Sequence, residues 1–174
     1  MIDPRMKKLA DLLVGYSTKV QAGERVMIDG YEVPSEMVTL LIDGVVEAGG
    51  IPFVETHQTR VRRAIYLNAT EEQMKILCKR DLEFMKEMQC YISLRGGHNI
   101  TEMSDVPEER MKVVQEHWQN PVLDQRVDHT KWVVLRWPTP SMAQLAGMST
   151  EKFEDFYFDV CTLDYARMAK AETP

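Results

Sequence analysis

Long hydrophobic runs are missing from this 174-residue sequence. None approaches the ~18–20 apolar residues of a membrane-spanning helix. The N-terminal stretch MIDPRMKKLADLL is charged and amphipathic, unlike a secretory signal. Cysteine is scarce. Cys78, Cys90 and Cys161 are an odd number with no C-x-x-C pair, which argues against a disulfide framework and against the common cysteine zinc sites. A reduced, cytoplasmic protein with buried structural thiols is the simplest reading. An excess of basic charge is also missing. The formal net charge is −6, the wrong sign for nucleic acid or an anionic membrane as the main partner. The one basic cluster, Arg60, Arg62 and Arg63, reads as a solvated helix face, with phosphate binding as the sharper alternative.

Motifs that would carry chemistry are absent too. There is no H-E-x-x-H, no H-x-D, no G-x-S-x-G elbow and no Walker A sequence. Gly30 stands alone where a dinucleotide site would need G-x-G-x-x-G. Spacing therefore assigns no catalytic, cofactor-binding or metal-binding residue.

What is present is an alternation. Asp3-Pro4 is a helix start, followed by Met6, Leu9, Leu13 and Tyr16 at helical spacing. Arg25–Asp29 reads as a strand. Pro34 opens a second helix that Gly49-Gly50 ends. Ile51–Thr56 is the next strand, and its Pro52 belongs at a strand start or a sheet edge. A short helix spans about Thr59 to Leu67, and the capping box Thr70-x-x-Gln73 starts another. Cys90–Leu94 is the third strand. Helix follows from Pro107 to about Trp118, with a further turn from Val122, and Trp132–Leu135 is the fourth strand. Short apolar strands alternating with helices predict an α/β fold. The expected sheet is mostly parallel, of about four strands, with helices on both faces and strand order 2-1-3-4. One domain over residues 1–164 is expected, with 165–174 a helix end or the start of a linker.

In open α/β sheets ligands bind beyond the carboxyl ends of the strands. Here that edge collects Asp29 to Glu32, Glu55 to His57, Arg95 to Asn99, and Arg136 to Trp137. The candidate ligand edge is Glu55, His57, Arg95, His98 and Asn99. A metal site could be imagined from Asp29, Glu55, His57 and His98, but no ligand spacing of known specificity supports it. The plainer reading is that these residues end strands and cap helices.

The segment after the fourth strand, WPTPSMAQLAGMS, holds no acid and no base. Pro138 and Pro140 stop the strand, Ser141 can cap a short helix over Met142–Ala146, and Ser149 can start the next. There Phe153, Phe156, Tyr157 and Val160 form one apolar stripe, with Phe158 off it, read either as an exposed contact for a partner or further domain or as an ordinary partly buried aromatic.

The block KWVVLRWPTPSMAQLAGMSTEKFEDFYFDVCTLDYARM resembles the matching region of the M29 metallo-aminopeptidases, and KKLADLLVGYSTKVQAGERVMIDG is similar to that family's opening. The resemblance implies a cytoplasmic exopeptidase that removes N-terminal amino acids from peptides. It implies a homodimer and divalent metal ions, with zinc, cobalt and magnesium all used in the family. The family's Glu, His and Asp ligands lie in a second half, with a late H-x-D, and none can be matched here. The chain is thus expected to be an N-terminal domain, inactive alone, that supplies cavity wall or dimer surface to a missing metal-bearing domain. The alternative is a stand-alone, non-catalytic binding or interaction module derived from that family.

Overall fold

Asp3 and Pro4 start the first helix. The Asp3 carboxylate accepts the Arg5 backbone N–H at 2.8 Å, and Pro4 holds the first helical position, where its missing N–H costs nothing. The computed structural model describes residues 3–163. The segment expected to lead into a linker, 165–174, lies outside the described residues. The elements in chain order are α1 (Pro4–Leu12), β1 (Arg25–Tyr31), α2 (Ser35–Glu47), β2 (Ile51–His57), α3 (Thr59–Leu67), α4 (Glu71–Lys86), β3 (Cys90–Arg95), α5 (Glu108–Val114), α6 (Asn120–His129), β4 (Lys131–Arg136), α7 (Pro140–Leu145) and α8 (Thr150–Cys161).

The four strands form an all-parallel sheet in the order β2-β1-β3-β4. This is the fold class and order that the sequence predicts. Pro52 sits on β2, an edge strand, where its missing N–H is harmless. Every strand runs further toward its carboxyl end than its apolar residues indicate. Apart from Gly30, the added residues are polar or aromatic and belong to the candidate site.

Alternation along the strands gives the sheet two unlike faces. One presents Val26, Ile28, Cys90, Ile92 and Leu94. Helices α1, α2 and α8 close over it with Leu9, Met37, Leu41, Val45, Tyr157 and Phe158, joined by Leu13 just after α1. Each such leucine or valine, once buried, stabilises the fold by about 1.5–3 kcal/mol. The opposite face carries three rows in register across β2, β1, β3 and β4. The first is apolar, with Phe53, Met27, Tyr91 and Trp132. Phe84 and Met85 of α4, with Met88 just after it, pack against that row. The second row is Glu55, Asp29, Ser93 and Val134, and the third is His57, Tyr31, Arg95 and Arg136. A smaller core of Tyr66, Met74, Val106 and Val114 joins α3, α4 and α5 to one another.

A widened turn over Gln115–Gln119 links α5 to α6. Pro121 accounts for it. Its nitrogen cannot donate to the carbonyl four residues back, and its ring crowds that carbonyl, so the turn before it opens.

Two sequence expectations about the C-terminal third are corrected. The cap of α7 is Thr139, not Ser141. The Thr139 Oγ1 accepts the Met142 N–H at 3.4 Å, and the helix starts at Pro140, whose fixed φ suits the first position. Ser141 Oγ instead donates to the Gly97 carbonyl at 2.6 Å and ties α7 to the β3 loop. The predicted cap of α8 holds, with Ser149 Oγ accepting the Lys152 N–H at 3.3 Å. Phe158 takes the buried alternative at 3 % exposed, whereas Phe156 of the apolar stripe, expected on the buried face, is 55 % exposed. Trp137 decides the orientation. Its ring meets Tyr157 at 6.2 Å and Phe158 at 6.1 Å, both edge-on, and the Arg5 guanidinium lies 4.7 Å above Phe158. An aromatic triad plus a cation outweighs the stripe that sequence spacing suggests.

Candidate functional site

Asp29 is the most enclosed charged side chain of the strand-end edge, at 4 % exposure. It points from the middle of β1 onto the polar face because it is two residues from both Met27 and Tyr31. The Tyr91 hydroxyl donates to its Oδ2. Its Oδ1 lies 2.8 Å from His57 Nε2 and has no aligned hydrogen-bond donor. Burial alone would raise the Asp29 carboxyl. The contacts from His57 and Tyr91, with Arg126 nearby, outweigh burial and hold it below the ordinary carboxylate range. The Tyr91 phenol is pushed up, first by burial and then by the Asp29 charge. Arg126 reaches down from α6 and stacks 3.8 Å above the Tyr91 ring.

One row further on, Tyr31 is flanked by its strand neighbours. The His57 ring lies 4.6 Å from it and the Arg95 guanidinium 5.5 Å from its centroid. Arg62 arrives from α3. It donates to the Tyr31 hydroxyl at 2.5 Å and also to the Tyr66 hydroxyl, and sits 5.4 Å over Trp118. Burial and the Asp29 charge push the Tyr31 phenol up to about 12. The sequence reading of Arg60, Arg62 and Arg63 as a solvated face is therefore corrected at Arg62, which three aromatic rings enclose. Arg60 is exposed, and Arg63 pairs with Asp105.

Glu32 stitches the edge together. Its φ is +47°, an uncommon left-handed conformation for a residue with a side chain. One carboxylate oxygen accepts the Thr59 N–H at 3.0 Å, which serves α3 in place of a local cap. The other accepts the His98 N–H at 3.1 Å. The Glu32 N–H donates to the His57 carbonyl at 3.1 Å. The β3 loop can close on this turn because residue 96 is glycine. A Cβ there would stand 2.6 Å from the Glu32 carbonyl oxygen and 2.9 Å from that of Tyr31.

The structure thus places the five candidate edge residues in different roles. His57 and Arg95 lie in the third row, and Glu55 lies in the second, 3.7 Å from His57 Nε2. His98 is tied in through its backbone. Asn99 organises its own turn, accepting the Thr101 N–H at 3.1 Å. Spacing did not mark Tyr91, Arg126 or the enclosure of Arg62. The signal for Tyr91 was the two-residue alternation of β3, which puts Tyr91, Ser93 and Arg95 on one face.

The fold alone defines a class, a parallel α/β domain with its polar groups at the carboxyl edge of the sheet. The solved structure of wild-type AmpT from Thermus thermophilus is similar, with a TM-score of 0.70 at 17 % identity over 91 % of this chain and 43 % of that one. That likeness is one of fold, and the chain spans less than half of AmpT's length. A partial likeness to CurK enoyl reductase, at 12 % identity over 88 % of this chain and 48 % of that one, has a TM-score of 0.36 and carries no argument. No curated protein matches by sequence. The profile described as Thermophilic metalloprotease (M29) matches residues 2–171. The chain belongs to the M29 metallopeptidase family.

That family implies divalent metal ions. The side chains of the strand-end edge do not fit a metal centre. Among the described residues, no three His, Cys, Asp or Glu side chains are arranged to hold an ion. Asp29 is occupied by Tyr91 and His57, so the site imagined from Asp29, Glu55, His57 and His98 does not form.

Proposed function

We propose that this chain is the N-terminal α/β part of a metal-dependent aminopeptidase, which releases N-terminal amino acids from peptides. The observation that carries this reading is the family match along nearly the whole chain, over residues 2–171. The chain's span of 43 % of AmpT supports placing the reacting centre outside this stretch of sequence. This part contributes structure and surface: cavity wall, substrate access and a face for the remainder of the peptidase or a second subunit. The edge strand β4 supports this. It exposes Trp132 and Val134, and α6 beside it exposes Leu123 and Val127. An open apolar edge of this kind invites cover.

In the whole enzyme, the family's zinc, cobalt or magnesium would polarise the peptide carbonyl and activate water. No step is assigned to a residue of this chain. Among the described residues no helix is long and apolar enough to cross a membrane, and the setting proposed is the cytoplasm.

The test is made on the gene and its whole product. The reading frame is followed past codon 174 and the complete protein assayed on Leu-p-nitroanilide with each metal. A frame that continues into a segment bearing His-x-Asp, with metal-dependent turnover, supports the reading. A complete product that ends without such a segment and shows no turnover sinks it and favours a non-catalytic interaction module.

A further inference from the structure

The last row of the polar face has an arrangement that its own chain does not balance. Arg95 and Arg136 are register partners on adjacent parallel strands, and their side chains therefore leave the sheet on the same face, one strand spacing apart. The strands are locked at this point, because the Trp137 N–H donates to the Arg95 carbonyl at 3.0 Å. Like charges directly opposite one another in a sheet repel. Arg62 adds a third guanidinium close by, since it and Arg95 both lie within 5.5 Å of the Tyr31 centroid.

Of the chain's other arginines, Arg5, Arg25, Arg63 and Arg80 each pair with a carboxylate. Among the described residues Arg60, Arg110 and Arg126 form no ion pair with a carboxylate, Arg110 donating to the Ala69 carbonyl and Arg126 stacking on Tyr91. Among the same described residues, no carboxylate forms an ion pair with Arg62, Arg95 or Arg136 either. The nearby acids are engaged elsewhere. Asp29 faces His57 and Tyr91, Glu55 faces His57, and Glu32 accepts two backbone N–H groups. Arg95 has a single weak side-chain bond, to Ser93 Oγ at 3.4 Å. Arg62 is fixed by tyrosine hydroxyls, which leave its charge uncancelled. This row also stands at the carboxyl ends of the strands, where open α/β sheets take their ligands.

We infer that Arg95 and Arg136, backed by the charge of Arg62, form an oxyanion-binding site. A planar guanidinium suits a carboxylate or a phosphate, each of which accepts paired N–H bonds, and two arginines one strand spacing apart on one face can reach the same oxyanion. The inference does not depend on the peptidase reading. It concerns these side chains whatever the chain's reaction.

The experiment is NMR titration of the arginine Nε–Hε resonances of the chain at low ionic strength. The probes are a Leu-Gly-Gly peptide, its C-terminal amide, and inorganic phosphate, each against a chloride control of equal ionic strength. Saturable shifts of the Arg95 and Arg136 signals with the free-acid peptide but not the amide support the site and assign it to a peptide carboxylate. Saturable shifts with phosphate alone support the site and assign it to a phosphorylated ligand. Either response, followed also on the Arg62 Nε–Hε signal and the backbone amides of residues 95–97 and 136–137, should weaken at least tenfold on those reporters in R95Q/R136Q. A thermal-shift series guards against misfolding: in wild type phosphate should raise Tm more than chloride does, and in R136Q, which relieves the repulsion, that difference should vanish. No saturable shift with any probe, equal shifts with acid and amide, or shifts that persist in the double variant would overturn the proposal.

Discussion

Asp29 concentrates the residue-scale physics of the polar face. It is buried, charged, and held by one tyrosine, one histidine and a nearby arginine. Replacing it by asparagine keeps the shape and removes the charge its partners are placed to meet. D29N should lower stability at neutral pH by about 1.5–3 kcal/mol, read by urea unfolding. The pH dependence has a definite sign. The folded carboxyl is held below its unfolded value of about 3.9. Its contribution is therefore fully present above that value and disappears as pH falls through the lower folded one. Wild type and D29N should converge in strong acid, and a gap that stays constant there would show that the charge is not what Asp29 contributes. Cys90 offers a second check. Burial, then the Glu24 charge, pushes its thiol up to about 11. At pH 8 it should react with Ellman's reagent only on unfolding, because the thiolate is the reacting form. Little of this was legible beforehand. The sequence shows Asp29 near a strand end, but its partners come from β2, β3 and α6, and only the assembled sheet brings them together.

Elements were more legible, because local chemistry sets them. Asp3-Pro4, Thr70-x-x-Gln73 and Ser149 each cap a helix as their sequence context indicates. The short strands and intervening helices implied a parallel sheet, and Pro52 pointed correctly to an edge. Misreadings arose where tertiary packing overrode spacing. On α8 the stripe of Phe153, Phe156, Tyr157 and Val160 lost to the contact of Phe158 with Trp137 and Arg5. F158A should therefore cost about 3–5 kcal/mol in thermal or urea unfolding, while F156A should stay under ~1 kcal/mol. The reverse order would restore the sequence stripe as the buried face. The corner after β4 gives a similar contrast. T139A should cost about 1 kcal/mol as a lost cap. G96A should cost at least ~1–3 kcal/mol, since its methyl would strike the backbone of the Glu32 turn. An unfolding midpoint unchanged by G96A would show that the β3 loop does not close on that turn.

At the scale of the whole molecule, the chain is an M29 family member whose described residues hold an ordered polar edge at the strand ends and no cluster of three His, Cys, Asp or Glu side chains arranged to hold an ion. The fold and the family were both legible in the sequence, the family through WPTPSMAQLAGMS and its flanks. That stretch holds no acid and no base. It turns the chain from β4 to α8, buries Trp137 against two rings, and holds the β3 loop through Ser141. The central claim is that the reacting metal centre is not built from this chain. The most direct measurement is metal content and turnover of the purified 174-residue chain, loaded with zinc or cobalt, desalted and analysed by atomic absorption alongside Leu-p-nitroanilide hydrolysis. The account predicts well under one metal ion retained per chain and no metal-dependent turnover, with the fold intact by circular dichroism. Stoichiometric retained metal together with metal-dependent hydrolysis would contradict it.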